Sequence, residues 1–195
     1  MPKTYAKVIK KFISENEIDS LNLWSINNFQ KNRHQYHDPH MDDYYEETRF
    51  TTRLGNSEDH SKKEYQIQYP KVAFDIQDRI IDLFRMDGVK TPPSYFNGIV
   101  NGIGFENGSI CKHVDPTYYE GTETMHCNII TQKAESGGIT IIEDVEYDIE
   151  EGDLLCYIVS KQYHEVTKTT GKRNRILWVF GFCIDQEKIN HIFGD

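Results

Sequence analysis

The sequence predicts an α+β domain in which N-terminal helices brace a C-terminal jelly-roll-like barrel, and a contrast between its two halves predicts it. Ahead of Pro93 the strongest apolar patterns have helical spacing; beyond it the chain breaks into short β-branched or alternating runs parted by Gly, Asn, Asp and Glu. At 195 residues, with 37% apolar and 12% aromatic content, the chain is long enough for one hydrophobic core. One domain is therefore expected over 1–195, with helical support over about 1–92 and the barrel over about 93–185.

Tyr5 to Ile9 reads as a short strand. A helix follows, marked by Ser14 with Glu17 three residues on, the spacing at which the two residues cap each other's backbone amides. Ile18, Leu21, Trp24 and Ile26 supply its apolar side. From about Gln30 to Gln68 the chain is polar and irregular, with one strand expected at Arg49 to Leu54; so long a loop is uncommon in a compact domain unless it has a function. Pro70 suits the first turn of a second helix with Val72, Ile76, Ile80, Leu83 and Phe84 as its apolar face and Gly88 as its end. Seven strand candidates follow, within 95–105, 109–114, 124–131, 137–143, 152–160, 164–168 and 175–184. Strands this short and this closely spaced argue for a sandwich or closed barrel.

Charge and composition narrow the function. The 22 basic and 31 acidic residues give a net charge of -9, which repels a phosphate backbone, so nucleic acid is a poor first partner despite the local cluster Lys168, Lys172, Arg173 and Arg175. A mean hydropathy of -0.66 reflects a heavily charged surface. No apolar run approaches the roughly 20 residues that span a bilayer, and the opening MPKTYAKVIKKF lacks the apolar segment of a secretory signal, so a cytoplasmic address is expected. Cys111, Cys127, Cys156 and Cys183 form no CxxC pair, which argues against a zinc knuckle or dithiol redox motif; reduced core thiols are expected.

His113 and Asp115 flank Val114 in a predicted strand, and alternation turns both side chains to one face. His164 lies far downstream, but a barrel can bring its strand alongside. Two imidazoles and a carboxylate on one face of a metal leave the opposite positions open, as Fe(II) requires in order to bind a chelating cosubstrate and O2. Arg173 and Arg175 share a face if their stretch is extended. A guanidinium inside a barrel is costly without an anion, and a dicarboxylate could engage its planar fork. A rival cluster, His34, His37 and His40 with Asp38, Asp42 and Asp43, could stack imidazoles on a helix, but Pro39 and the lack of apolar partners favour a solvated loop; if that loop functions, it is expected as a lid or substrate-contacting segment over the barrel mouth rather than a metal centre. His60, His126 and His191 have no sequence partners and read as surface or packing residues. Tyr44, Tyr45, Tyr118 and Tyr119 could grip a substrate or pack loops on the core.

The stretch from Ser109 to Phe182 resembles the 2-oxoglutarate- and Fe(II)-dependent oxygenases, and within them the prolyl 4-hydroxylase branch. The resemblance rests on HVD (113–115), SGGITII (136–142), EEGDLLCY (150–157), YHEV (163–166) and the strand of Arg173, in that order. HxD alone is a weak signal; followed by GG, GD, H and R it is specific. The resemblance implies a double-stranded β-helix, a cupin-like barrel, with His113, Asp115 and His164 as ligands of Fe(II). It further implies 2-oxoglutarate as cosubstrate with its distal carboxylate on Arg173, O2 as oxidant, ascorbate in support, and hydroxylation of a C–H bond. A peptidyl substrate, with proline favoured, stands ahead of a free amino acid or small metabolite; a cupin-like binding module without turnover is the rival class. The chain departs from the family pattern twice. In place of a tyrosine near the HxD strand it offers Phe105 and the run 126–129, so Asn128 becomes a candidate hydrogen-bond donor to 2-oxoglutarate. Arg175 stands where the family has a small or hydroxyl residue, which makes it the alternative to Arg173; a spacing of nine residues from His164 favours Arg173.

Overall fold

Ser14 and Glu17 cap the first helix reciprocally: Ser14 N donates to Glu17 Oε2 at 2.8 Å and Glu17 N to Ser14 Oγ at 3.4 Å. The computed structural model describes residues 4–32, 48–51, 69–93 and 97–194. Along them run β1 (Ala6–Ile9), α1 (Glu15–Asn32), β2 (Arg49–Thr51), α2 (Lys71–Phe84), β3 (Ile99–Gly104), β4 (Ile110–His113) and β5 (Glu123–Gln132). Then come β6 (Thr140–Ile142), β7 (Val145–Tyr147), β8 (Leu154–Ile158), β9 (His164–Val166), β10 (Arg175–Ile184) and α3 (Gln186–Phe193).

The strands form two antiparallel sheets, a six-stranded one in the order β1-β8-β5-β10-β3-β2 and a four-stranded one in the order β4-β9-β6-β7. Alternation along β10 sets the architecture. Ile176, Trp178, Phe180 and Phe182 join the core that also buries Leu21 of α1 and Ala73, Ile76 and Ile80 of α2, so the helices cover one face of the large sheet. The other face turns to the small sheet: Ile130, Leu155 and Tyr157 pack there with Ile142 of β6. α1 is held to the sheet by polar contacts as well, since Asn22 Nδ2 donates to Thr131 O at 2.9 Å and Asn101 Nδ2 to Ser25 Oγ at 3.0 Å. Arg79 of α2 pairs with Glu17 and donates to Phe12 O at 3.2 Å, fastening the two helices.

Several local expectations need correction. α2 ends before Gly88: Arg85 takes the left-handed conformation (φ 52°) and Met86 N donates to Ile81 O, which closes the last turn a few residues early. Its buried face is Ala73, Ile76, Gln77, Ile80 and Phe84, which leaves Leu83 exposed, and Ile26 of α1 is exposed too. β7 was not anticipated, because its hairpin turn uses Glu143 and Asp144 at positive φ (49° and 64°) where Asn-Gly would have signalled it. α3 was also missed, although Asp185 caps it by accepting from Lys188 N at 2.8 Å and Ile189 and Ile192 bury its inner face. β2 occupies 49–51 of its expected range; 52–54 lie outside the described residues. Cys127, Cys156 and Cys183 are buried free thiols, but Cys111 is exposed. Among the described residues, no helix is long and apolar enough to cross a membrane.

Candidate metal centre

β4 and β9 pair antiparallel with His113 directly opposite His164, so both imidazoles leave the small sheet on its inner face with ring centroids 4.2 Å apart. Asp115 lies just beyond β4 rather than inside it. Its N–H donates to Val159 O at the end of β8 (2.9 Å), which carries the chain from the small sheet toward the large one and turns the carboxylate back to the imidazoles. Asp115 Oδ1 lies 3.4 Å from His113 Nε2, and Oδ2 lies 3.9 Å from His164 Nε2. One donor atom from each of the three residues falls within 4.8 Å of the other two.

The tautomers suit metal binding. His113 Nδ1 faces Cys111 O at 2.7 Å and His164 Nδ1 faces Gln162 O at 3.1 Å. A carbonyl can only accept, so each Nδ1 carries a proton; His113 Nε2 carries a second one toward Asp115 when its ring is charged, and losing it frees both Nε2 lone pairs for the shared point. Burial alone would raise the pKa of Asp115, but the hydrogen bond from His113 and the charges of His126, His164 and His113 outweigh it and hold the carboxyl at about 2. The hydrogen bond to Asp115 raises His113 against burial, while burial, followed by the neighbouring His113, lowers His164. At neutral pH the site thus offers an ionised carboxylate and, at His164, a neutral imidazole. Two imidazole nitrogens and one hard oxygen are a donor set that fits Fe(II).

Deeper in the barrel, Arg175 opens β10 and is 7% exposed. Among the described residues its Nε finds no hydrogen-bond partner and no carboxylate pairs with it. Burial pulls its pKa down to about 10, partly countered by Tyr157. Tyr157, on β8, joins the two ends of the site: its ring stands edge-on to His164 at 5.4 Å, and its hydroxyl accepts from Asn128 Nδ2 at 3.2 Å. Asn128 Oδ1 is buried without a partner among the described residues. Gly138 makes room for the arginine, since a Cβ there would come within 2.8 Å of Arg175 Cδ.

Arg173 is placed differently. It precedes β10, is half exposed, and donates through Nη2 to Glu151 Oε1 at 2.7 Å. The expected common face with Arg175 does not form, because the strand begins only at Arg175, and the basic cluster of the sequence is divided between surface and interior. Phe105 packs on Phe29 at 5.2 Å in the helix-side core, and Tyr119 lies beneath Lys90 Nζ at 4.7 Å. His34, His37, His40, Asp38, Asp42, Asp43, Tyr44, Tyr45 and His60 lie outside the described residues.

Three interior residues escaped the sequence reading. Tyr157 stands on a strand with every residue buried, where only parity against Cys156 marks its face. His126 lies opposite Tyr157 on β5 with Nε2 3.7 Å from Asp115 Oδ2; its parity with Asn128 was the available signal. Arg49 of β2 pairs in register with Gly104, whose partner on the other side is Arg175, and its charge reaches His113.

The fold is a double-stranded β-helix with helices on the outer face of the large sheet, the fold of the 2-oxoglutarate-dependent oxygenases. No family model and no curated protein matches the sequence. Among solved structures, the chain is similar to a viral collagen prolyl hydroxylase from Paramecium Bursaria Chlorella virus-1 in complex with 2-oxoglutarate (11% identity, TM-score 0.64, 93% of this chain and 97% of that one). It is similar also to a Trichoplax adhaerens prolyl hydroxylase in complex with a hypoxia inducible factor peptide (13%, TM-score 0.60, 96% and 86%). HygX from Streptomyces hygroscopicus, with nickel and 2-oxoglutarate bound, is a third (13%, TM-score 0.59, 92% and 83%).

Proposed function

We propose that this protein is an Fe(II)- and 2-oxoglutarate-dependent oxygenase that hydroxylates a C–H bond of a peptidyl substrate, with proline the favoured residue. The observation that carries the reading is the buried Arg175 guanidinium, without a carboxylate partner among the described residues, in the same barrel as the converging His113, Asp115 and His164. A buried charge of this kind persists where a ligand supplies the opposite charge. In this reading His113, Asp115 and His164 hold Fe(II), and Arg175 rather than Arg173 takes the distal carboxylate of 2-oxoglutarate. Tyr157 stands against His164 and accepts from Asn128, and its hydroxyl is the natural donor to the cosubstrate once Asn128 donates to it. Bound iron supplies the activation of O2, coupled to decarboxylation of 2-oxoglutarate to succinate, with ascorbate in a supporting part. The apolar walls Ile130, Leu155 and Ile142 keep bulk water from the reacting centre.

A peptide substrate is favoured by the likeness to a prolyl hydroxylase that carries a peptide; a free amino acid or small metabolite is the second choice. The test is anaerobic titration with Fe(II) and 2-oxoglutarate. A weak visible charge-transfer band, lost in His113→Ala, and iron-dependent succinate release are expected. No band, together with an unaltered His113→Ala protein, would sink the reading; 2-oxoglutarate binding without iron-dependent succinate would mark a silent binding module.

A further inference from the structure

His126 has no part in the metal-ligand group, yet it is buried against it. Along β5, Cys127 and Ile129 face the helix-side core, so His126 faces the barrel interior, where it is 7% exposed. β8 and β10 flank β5 on both sides, which fixes its backbone. Its ring stands edge-on to Tyr157, its cross-strand partner (centroids 6.2 Å, 84°), which fixes its side chain. So held, Nε2 lies 3.7 Å from Oδ2 of Asp115, slightly nearer that oxygen than His164 Nε2 at 3.9 Å, whereas His113 Nε2 lies 3.4 Å from Oδ1.

We propose that His126 is a positioning residue for the metal centre: with metal bound, its Nε2–H closes the 3.7 Å gap to Oδ2 of Asp115 and donates to it, so that the carboxylate meets the metal through Oδ1 alone. This rests on the reading of His113, Asp115 and His164 as metal ligands. A carboxylate can ligate with one oxygen or both. On an octahedral ion, two imidazoles and one oxygen leave three positions, enough for a chelating cosubstrate and O2; a second Asp115 oxygen would take one of them. His126 therefore protects an open position without touching the ion. His113 and His164 carry the proton on Nδ1, for carbonyls two residues back, and the proposed role requires His126 to carry one on Nε2.

Two measurements on the full chain test this. In the Zn(II)-loaded wild type, long-range 1H–15N spectra of the imidazoles should show Nδ1-protonated, metal-bound His113 and His164 beside a metal-free His126 protonated on Nε2. An unprotonated or metal-bound His126 Nε2 overturns the proposal. In Co(II) competition titrations, His126→Phe should bind about tenfold more weakly than wild type, in line with losses seen when a ligand's supporting partner is removed. His126→Gln, whose amide can donate from about the same point, should recover most of that affinity, and the urea midpoint of the metal-free protein should not follow this order. Equal Co(II) affinity in all three proteins overturns the proposal, and the wild-type spectra decide it if His126→Phe does not fold. Failure of the wild type to bind either metal, or full binding by His113→Ala, instead removes the metal reading on which it stands.

Discussion

Arg175→Met is expected to make the metal-free protein more stable and at the same time poorer at binding 2-oxoglutarate. The guanidinium is 7% exposed and its pKa falls from 12.5 to about 10 because burial disfavours the charge. A difference of about 2.5 units at about 1.4 kcal/mol per unit corresponds to roughly 3 kcal/mol by which the buried charge weakens the fold. At pH 7 the group is protonated whether the chain is folded or not, so the whole penalty is felt. Met removes the charge and occupies part of the volume; imperfect repacking returns about 1 kcal/mol. The net gain of about 2 kcal/mol is a rise in Tm of roughly 4–8 °C for a chain of this size. Truncating one partner of a buried charge pair costs about 2–5 kcal/mol of binding, so the Kd for 2-oxoglutarate should rise at least about 30-fold. Thermal unfolding of the metal-free protein and calorimetric titration of the Mn(II)-loaded protein read the two effects separately. Arg173→Ala is the control: its pair with Glu151 is at the surface and worth about 0–1 kcal/mol, so both readouts should stay near wild type. A variant Arg175→Met that melts below wild type, or binds 2-oxoglutarate within threefold of it, refutes the reasoning, as does loss of cosubstrate in Arg173→Ala.

Two further predictions concern the frame around the site. Asp153, with a side chain 2% exposed, accepts from Lys10 Nζ (2.7 Å), Lys11 N (2.9 Å) and Glu150 N (2.9 Å), tying the N-terminal segment to the turn before β8. Burial pushes its pKa up, but these donors outweigh it and leave it below 3.8. A depressed folded pKa means stability that is complete above the unfolded value and lost as pH falls below it. Asp153→Asn should therefore cost about 1–3 kcal/mol at pH 7, a gap in urea unfolding that narrows below about pH 4; a gap equal at pH 3 and pH 7 would contradict the assignment. Gly138→Ala should cost about 2–4 kcal/mol, from its positive φ (71°) and from the contact of the new Cβ with Arg175 Cδ. Part of that cost should vanish in the Arg175→Met background; a double-mutant cycle with no coupling would show that the contact is not what Gly138 avoids.

The meeting of His113 and His164 was only partly legible: the barrel expected from the short strands allows their strands to lie side by side, but the register that sets the two rings opposite each other joins distant parts of the chain. Which arginine is buried was not legible either, because counting nine residues from His164 assumes a turn of fixed length. Between β9 and β10 the chain instead makes the isolated bridge Ser136–Thr170 and a turn at Gly171 (φ 90°). β10 then begins where Arg175 meets Gly104 of β3, a pairing between distant parts of the chain. That long-range register, and not the spacing from the nearest motif, decides which arginine is inside. β7 and α3 were missed for local reasons: a Glu-Asp hairpin turn, and a short helix whose Asp185 cap was present but not followed.

Tyr157 and His126 show how far parity could have gone. β8 is buried at every position, so no hydropathy pattern separates its faces, and both Cys156 and Tyr157 look like core. One inward residue on a neighbouring strand removes the ambiguity. If Asn128 faces the cosubstrate, strand period places His126 on the same face. The register His126–Tyr157 then places Tyr157 there as well, and Cys127–Cys156 on the helix side, where both thiols are found. The same rule applied to β10 puts Arg175, Leu177 and Val179 inside once Trp178 is assigned to the helix-side core, and it leaves Arg173 outside the strand altogether. In a barrel with two buried faces, hydrophobicity says that a strand is central, and only parity from an anchored residue says which side chains reach the chemistry.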